Sequence, residues 1–258
     1  MKNDDFLRRH LKDLPAFRGL LRAVEARFYQ ALLPLQEPVL DVGCGDGHFA
    51  TIAFPQSLTS GVDPAASVLR DARPRGAYRT LARALGDALP YADGTFSTVI
   101  SNSVLEHIPE VDPVLSEIAR VLRAPQPGAA RSGGRFIFCV PGDRFTELLL
   151  FPRLFRALRL ERLAQAYERY FNRISRHHHC DPPEVWQERL AATDMRLVDH
   201  FAYFSARATG ALDLGHYLGA PSLIAKRLFG RWILAPYRWN LALTESCLRP
   251  FYEEPLPD

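Results

Sequence analysis

The sequence has few of the features that mark secreted or membrane-spanning proteins. It contains four cysteines in 258 residues and no CxxC pair, which predicts reduced thiols rather than a disulfide framework. The first ten residues, MKNDDFLRRH, contain two aspartates and are interrupted by charge, unlike a signal peptide. The most apolar stretch near the C-terminus is interrupted by Lys226, Arg227 and Arg231, so no apolar run approaches the roughly 18 residues of a membrane-spanning helix. We therefore expect a cytoplasmic protein that does not cross a membrane.

Charge of one sign is not in excess, and internal repeats and low-complexity tracts are lacking. There are 32 Lys and Arg against 29 Asp and Glu, a formal net charge of +3, so whole-molecule charge does not indicate a nucleic-acid partner. With 47% hydrophobic and 24% charged residues, the composition is that of a folded globule. At roughly 150 residues per domain, the length predicts one enlarged domain or one domain plus a cap, with room for a ligand pocket.

Short apolar runs alternate with helical stretches from residue 38 onward. The runs are PVLDV, LTSGV, AYRTLA, FSTVIS and RFIFCV. This alternation predicts βα units and hence an α/β fold with a doubly wound, mainly parallel sheet. A further strand candidate, MRLVDHFAYFS, follows after a segment much longer than one crossover helix needs.

The segments outside this alternation are predicted to be helical. Residues 1–35 carry two helical apolar patterns separated by Pro15 and are predicted to form an N-terminal helical flap. Residues 36–208 are predicted to form the main domain, with a helical insertion at 143–180 after the fifth strand. Residues 209–258 are predicted to be a helical C-terminal extension.

The most informative motif is a strand that runs into a glycine-rich turn and a helix start. It is VLDVGCGDG, residues 39–47. Glycine lets the backbone approach a ligand or adopt positive φ, and a helix N-terminus offers free amides to a polar or anionic group. The spacing is G-x-G-x-G, with His48 where the G-x-G-x-x-G fingerprint has its third glycine, which disfavours NAD. The motif predicts a nucleotide-type site.

Acidic and polar residues follow the next three predicted strands. Asp63 ends the second strand about twenty residues on, where a carboxylate can accept both hydroxyls of a ribose. Asp87 follows the third strand, and SNSVLEH, residues 101–107, follows the fourth. Because the carboxyl ends of parallel strands meet at one edge of the sheet, we expect these loops to form a single crevice.

Together these motifs resemble class I S-adenosylmethionine-dependent methyltransferases of the type 11 methyltransferase-domain family. The matching segments lie within residues 38–141 and are VLDVGCGDG, GVDP, GDALPYADGTFSTVISNSVLEHI, VDPVLSEIARVLR and GGRFIFCVP. The resemblance implies a Rossmann-like fold, S-adenosyl-L-methionine as cofactor and S-adenosyl-L-homocysteine as product. One departure is the stretched turn at 124–134, for which we expect an irregular excursion and no new site.

The resemblance also implies which residues bind the cofactor: Asp41, Gly43, Cys44, Gly45, Asp63, Pro64, Asp87, Ala88 and Asn102. In this assignment the first strand and the glycine turn line the methionine moiety. The carboxylate after the second strand holds the ribose hydroxyls, the loop after the third strand faces adenine, and Asn102 closes the site.

Two histidines are candidate catalytic residues. His107 follows the fourth strand, near the expected position of the transferred methyl, where it could act as general base for a hydroxyl nucleophile; the alternative is a structural histidine. His178 is the second candidate, within the run HHHCD at 177–181, with an ordinary loop role as its alternative. By composition this run could bind zinc. Consecutive residues of an extended segment point in opposite directions, however, and no second ligand cluster is evident, so we predict no metal site.

Two basic stretches contain interleaved apolar residues. The first runs from Arg153 to Arg176 and the second from Lys226 to Trp239. Such segments lie on anionic membrane surfaces, bind a phosphate-bearing substrate or present a solvated basic face above a buried stripe. The sequence leaves these interpretations open.

The predicted activity is transfer of a methyl group to a small or lipophilic acceptor, including a lipid-linked acceptor held by peripheral contact with an anionic membrane. An RNA or protein methyltransferase that uses the arginine stripe is one alternative, although a nucleic-acid partner is not favoured. A catalytically silent cofactor-binding scaffold is the other. Oligomeric state is left open.

Overall fold

The computed structural model describes residues 5–125, 133–233 and 237–255. It divides the chain into two compact units. The sheet unit comprises Leu32–Asp143 and Arg176–His200. The helical unit comprises Met1–Ala31, Arg144–Ser175 and Phe201–Asp258, and so gathers residues from the predicted flap, insertion and extension. Most of the stretched turn at 124–134 lies outside the described residues.

Five parallel strands form the sheet. They are β1 (Val39–Val42), β2 (Leu58–Val62), β3 (Tyr78–Ala82), β4 (Thr98–Asn102) and β5 (Arg135–Cys139), in the order β3-β2-β1-β4-β5. Every recorded pairing is parallel, with Leu40 opposite Ser60 on one side and Val99 on the other. The order reverses beside β1, as the predicted doubly wound fold requires, so this prediction is confirmed.

The helices of the described residues, in chain order, are α1 (Phe6–Leu11), α2 (Ala16–Ala31), α3 (His48–Ala53), α4 (Ala66–Ala72), α5 (Val111–Val121), α6 (Leu150–Ala157), α7 (Glu161–Ser175), α8 (Pro183–Ala191), α9 (Ala206–Leu218), α10 (Ala220–Phe229) and α11 (Arg238–Tyr252). The predicted break between two N-terminal helices at Pro15 is confirmed. None of these helices has the length and apolarity needed to cross a bilayer.

The core of the sheet unit lies between the sheet and α5. Val111, Val114, Leu115, Ile118 and Val121 recur at helical spacing and are all buried against the apolar side chains of β1 and β4. Helix α8 begins at Pro183, where a proline loses no intrahelical hydrogen bond. Its Trp186 and Leu190 complete the same core.

The sixth predicted strand, MRLVDHFAYFS, is wrong. Residues 195–205 carry no strand in the structure. Met195 and Leu197 do alternate with exposed residues and pack against the core of the sheet unit, which explains the strand-like pattern. Alternation reports which side chains are covered, but a strand also needs a neighbour to complete the hydrogen-bonded ladder.

A buried carboxylate organises part of the helical unit. Leu149, Phe171 and Leu212 form an apolar core there, with Phe17 and Phe145 packed against it. Asp213 on α9 is fully buried beside this core, and it accepts hydrogen bonds from the Tyr167 hydroxyl (2.5 Å) and the Phe151 amide (3.1 Å). These bonds tie α6 and α7 to α9.

Replacing a core leucine of α5 should destabilise the sheet unit. Leu115→Ala removes a side chain with no exposed area and leaves a cavity, so we expect the free energy of unfolding to fall by about 2–5 kcal/mol. Leu85→Ala is the matched control, because Leu85 is 60% exposed and its truncation should cost no more than about 0.5 kcal/mol. Urea unfolding followed by tryptophan fluorescence tests this, since Trp186 belongs to the same core. Equal shifts for the two variants would contradict the assigned core.

Candidate functional site

The turn after β1 has the backbone conformation that its glycines predict. Gly43, Gly45 and Gly47 adopt φ values of +80°, +55° and +71°, a region that favours glycine. A Cβ on Gly43 would lie 2.5 Å from the Val104 side chain, so that glycine is required by packing as well. A Cβ on Gly45 would meet no atom within 4 Å. The backbone of Gly45 is therefore open to a ligand.

Asp63 holds this turn to the end of β2. Its Oδ2 accepts a hydrogen bond from the Gly45 amide at 3.2 Å, and its Oδ1 accepts one from the Ala65 amide at 2.8 Å. A carboxylate oxygen has two lone pairs, so each oxygen can accept another hydrogen bond. The side chain is only partly covered. This pair of acceptor oxygens fits a ribose, whose two neighbouring hydroxyls would each donate to one oxygen.

The Tyr78 ring packs against the turn and supports it, a role that the sequence did not reveal. Its hydroxyl donates to Oδ2 of the buried Asp41 at 2.6 Å. Burial, followed by the negative charge of Asp41, raises the pKa of Tyr78 well above its usual value, which keeps the phenol protonated as a donor. The ring lies where Cβ atoms on Gly61 and Gly47 would come within 2.9 Å and 3.2 Å of it. Gly61, inside a strand, was the available sign of such a close approach.

Cys44 lies within this packing. Its Sγ would be 3.0 Å from a Cβ on Gly61, and the residue is buried. Burial, and then the charge of Asp41, raises the pKa of the thiol, so it stays uncharged. The predicted contact of Cys44 with cofactor stays a prediction, and the structure shows the side chain as part of the support for the turn.

The loop after β3 is held in place by a charged pair on α5. Glu117 accepts the Leu89 amide at 2.8 Å, and Arg120 donates to the Leu89 and Tyr91 carbonyls. The hydrogen bond from Arg120 lowers the pKa of Glu117. Asp87 and Ala88, the predicted adenine-facing residues, are exposed in this loop.

Two more of the predicted cofactor residues lie at the same edge of the sheet. Pro64 follows Asp63 and accepts a hydrogen bond from Arg83 through its carbonyl at 3.1 Å. Asn102 is the last residue of β4 and is half-buried. The structure thus places the predicted cofactor residues on four consecutive strand ends, as the topology requires.

Of the two candidate histidines, His107 follows β4, and the structure brings it together with His177. The two rings have centroids 5.4 Å apart. Burial, and then the electrostatic effect of the neighbouring His107, lowers the pKa of His177 to about 4. His178 is exposed, and its contact with this segment is made by its backbone amide, which donates to the Glu106 carbonyl at 2.7 Å.

His179 has a structural position. Its Nε2 lies 3.0 Å from the Ile108 carbonyl, and its Nδ1 lies 3.2 Å from Oδ2 of Asp181. It is buried and contacts Trp186. The three histidines of the run therefore have three different environments.

Comparison with known proteins shows a likeness between part of the sheet unit and methyltransferase domains. Residues 40–126 match the family model described as a methyltransferase domain. An uncharacterized methyltransferase of Mycobacterium tuberculosis is 34% identical over 139 residues, covering 45% of this chain and 54% of that protein. A malonyl-[acyl-carrier protein] O-methyltransferase of Legionella pneumophila is 26% identical over 150 residues, covering 54% of this chain and 50% of that protein. The chain spans about half the length of these two curated relatives.

One solved structure shows the likeness of fold. The complex between the Haloferax volcanii Trm112 methyltransferase activator and a putative methyltransferase contains a chain that matches with a TM-score of 0.50. The match is 17% identical in sequence and covers 71% of this chain and 74% of that chain. At this identity it supports the predicted fold class alone.

Removing the Tyr78 hydroxyl should destabilise the sheet unit. In Tyr78→Phe the buried Asp41 loses this hydrogen bond while the ring still fills the space beside Gly61, so we expect a loss of about 1–3 kcal/mol in the free energy of unfolding. Tyr237→Phe is the control, since Tyr237 is exposed. Urea unfolding followed by circular dichroism measures both, and a Tyr78→Phe midpoint equal to wild type would disprove the supporting role.

Proposed function

Because residues 40–126 belong to the family of methyltransferase domains, we propose that this protein transfers the methyl group of S-adenosylmethionine to a small or lipophilic acceptor. The match confirms the predicted family and, with it, the predicted cofactor. The observation that carries the proposal is the contact between Gly45 and Asp63. The backbone of Gly45 faces open space, and it lies beside a carboxylate whose oxygens can each accept one more hydrogen bond. An adenosyl cofactor with an amino-acid tail requires both features.

The residues at the strand ends would divide the binding of the cofactor among them. Asp63 would accept the two ribose hydroxyls while keeping its bonds to Gly45 and Ala65. The space beside Gly45 would admit the methionine moiety. The loop that contains Asp87 would face adenine, held in position by Arg120. The cofactor supplies an activated sulfonium methyl, so the protein has mainly to bind and orient.

Methyl transfer needs alignment of the acceptor and exclusion of water more than it needs many catalytic groups. A hydroxyl acceptor must still lose its proton. His107 remains our proposed general base: its Nδ1 lies 3.2 Å from the Arg176 carbonyl, which can only accept, so Nδ1 carries a hydrogen and Nε2 is the basic nitrogen. His178 is exposed, and its catalytic role is the weaker part of the proposal.

The helical unit supports a lipophilic acceptor at a membrane surface. Helix α10 exposes Leu223, Ile224, Leu228 and Phe229, and Lys226 and Arg227 lie on the same helix. Folded proteins seldom expose so many large apolar side chains together unless the patch binds something. Apolar and basic residues combined on one helix suit the interface of an anionic bilayer. This membrane surface, Ala220–Phe229, would hold the protein where lipophilic acceptors are dissolved.

Calorimetric titration of S-adenosylmethionine and S-adenosylhomocysteine tests the cofactor site without knowledge of the acceptor. We expect the wild type to bind both and Asp63→Ala to bind about 10- to 100-fold more weakly, because two charge-assisted hydrogen bonds to ribose are lost. Asp71→Ala removes an exposed carboxylate of α4 in the same unit and should bind as wild type does.

Three results would redirect the proposal. Absence of cofactor binding by folded wild-type protein would overturn it. Binding without formation of S-adenosylhomocysteine in the presence of cell extract would favour the silent scaffold. Salt-sensitive RNA binding would instead favour an RNA methyltransferase.

Co-sedimentation with anionic vesicles tests the membrane surface. We expect wild-type protein to sediment with phosphatidylglycerol-containing vesicles. Ile224→Asp should lose at least about tenfold in affinity for these vesicles, because the exposed Ile224 side chain (63%) can enter the bilayer and a charged aspartate cannot. Val198→Asp is the matched control, an equally drastic change at an 82% exposed position of the sheet unit. No sedimentation of wild type would remove the membrane part and leave the cofactor site untouched.

A further inference from the structure

Three potential metal ligands converge after β4. Glu106, His107 and His177 each offer one ligand atom, and these atoms all lie within 4.8 Å of one another. They come from two segments that are far apart in the chain. The backbone bond from the His178 amide to the Glu106 carbonyl, 2.7 Å long, joins those segments.

The His107 ring turns its Nε2 toward Glu106. Since Nδ1 donates to the Arg176 carbonyl, Nε2 carries the lone pair of the neutral ring. That nitrogen lies 3.7 Å from Oε1 of Glu106. A cation bound between them would be attracted by both the lone pair and the carboxylate. A backbone carbonyl that receives the other ring hydrogen is also the usual outer partner of a metal-binding histidine.

Glu106 contributes a negative charge to this cluster. It is only 3% exposed, and the attraction between a carboxylate and a cation is stronger away from water. A divalent ion could be coordinated by this carboxylate and both imidazoles at once. Cys180 adds an outer contact, since its Sγ lies 3.8 Å from Nδ1 of His177 and helps to orient that ring.

We propose that Glu106, His107 and His177 bind a divalent transition-metal ion, with Zn²⁺ the best match. Two imidazoles and one carboxylate are the protein ligands of many zinc sites that keep a fourth position open. Magnesium and calcium prefer oxygen ligands throughout. With metal–ligand bonds of about 2.1 Å, tetrahedral ligand atoms lie about 3.4 Å apart, so small side-chain movements would close the site.

No metal site is predicted from the sequence, because no second cluster of ligands is evident to join the histidine run. The fold supplies that cluster from residues 106 and 107 and takes one histidine of the run, His177. His178 and His179 do not belong to it. With the ion bound, Nε2 of His107 is a metal ligand, so His107 can act as general base only in the metal-free protein. This consequence for catalysis rests on the proposed function, whereas the metal site itself does not.

Titration of the untagged full chain with Zn²⁺, followed by calorimetry, tests the site without cofactor or acceptor. We expect one ion per chain for wild type. His177→Ala should lose at least about 100-fold in affinity, since even the loss of an outer partner of a ligand typically costs 10- to 100-fold. His178→Ala is the matched control from the same run and should bind Zn²⁺ as wild type does. Co²⁺ in place of Zn²⁺ adds a visible spectrum that reports the ligand geometry.

Two further measurements keep the outcomes distinct. Glu106→Gln should weaken binding while both imidazoles remain, and circular dichroism with S-adenosylmethionine titration should show that each variant is folded. Equal losses in His177→Ala and His178→Ala would reveal adventitious binding by the histidine run and overturn the site, as would absence of one-to-one binding by wild type. Loss of cofactor binding with intact Zn²⁺ binding would instead contradict the proposed function alone.

Discussion

The candidate cofactor site depends on one carboxylate, that of Asp63, which joins the ends of two parallel strands. By accepting the Gly45 amide and the Ala65 amide, it holds the turn after β1 against the end of β2. Without that bond the left-handed turn would have one less constraint on its conformation. This contact therefore places the open backbone of Gly45 next to the remaining acceptor capacity of Asp63.

Support for the turn comes from beneath it as well. The small residues Gly61 and Gly47 leave room for the Tyr78 ring, and the ring carries a hydroxyl to the buried Asp41. Packing and hydrogen bonding thus act together: the glycines make the approach possible, and the carboxylate gives the buried phenol an acceptor. A rigid turn is what a site needs if its backbone is to contact a ligand.

Local patterns predicted most of the sheet unit, because buried strands and an amphipathic α5 leave periodic apolar residues in the chain. The same reasoning failed at MRLVDHFAYFS. There Met195 and Leu197 are covered by the core, yet no ladder forms, since strand pairing depends on a neighbour that periodicity does not report. The gathering of the predicted cofactor residues at one edge of the sheet was predictable, because the carboxyl ends of parallel strands lie together.

Local spacing and the geometry of parallel strands are enough to predict the order of βα units and the placement of Gly45 and Asp63 at the carboxyl edge of the sheet. Long-range packing was needed to show that Tyr78 lies against the glycine turn and that His177, rather than its neighbours, meets His107. These contacts join residues distant in the chain, and their partners are selected by packing, which no local pattern records.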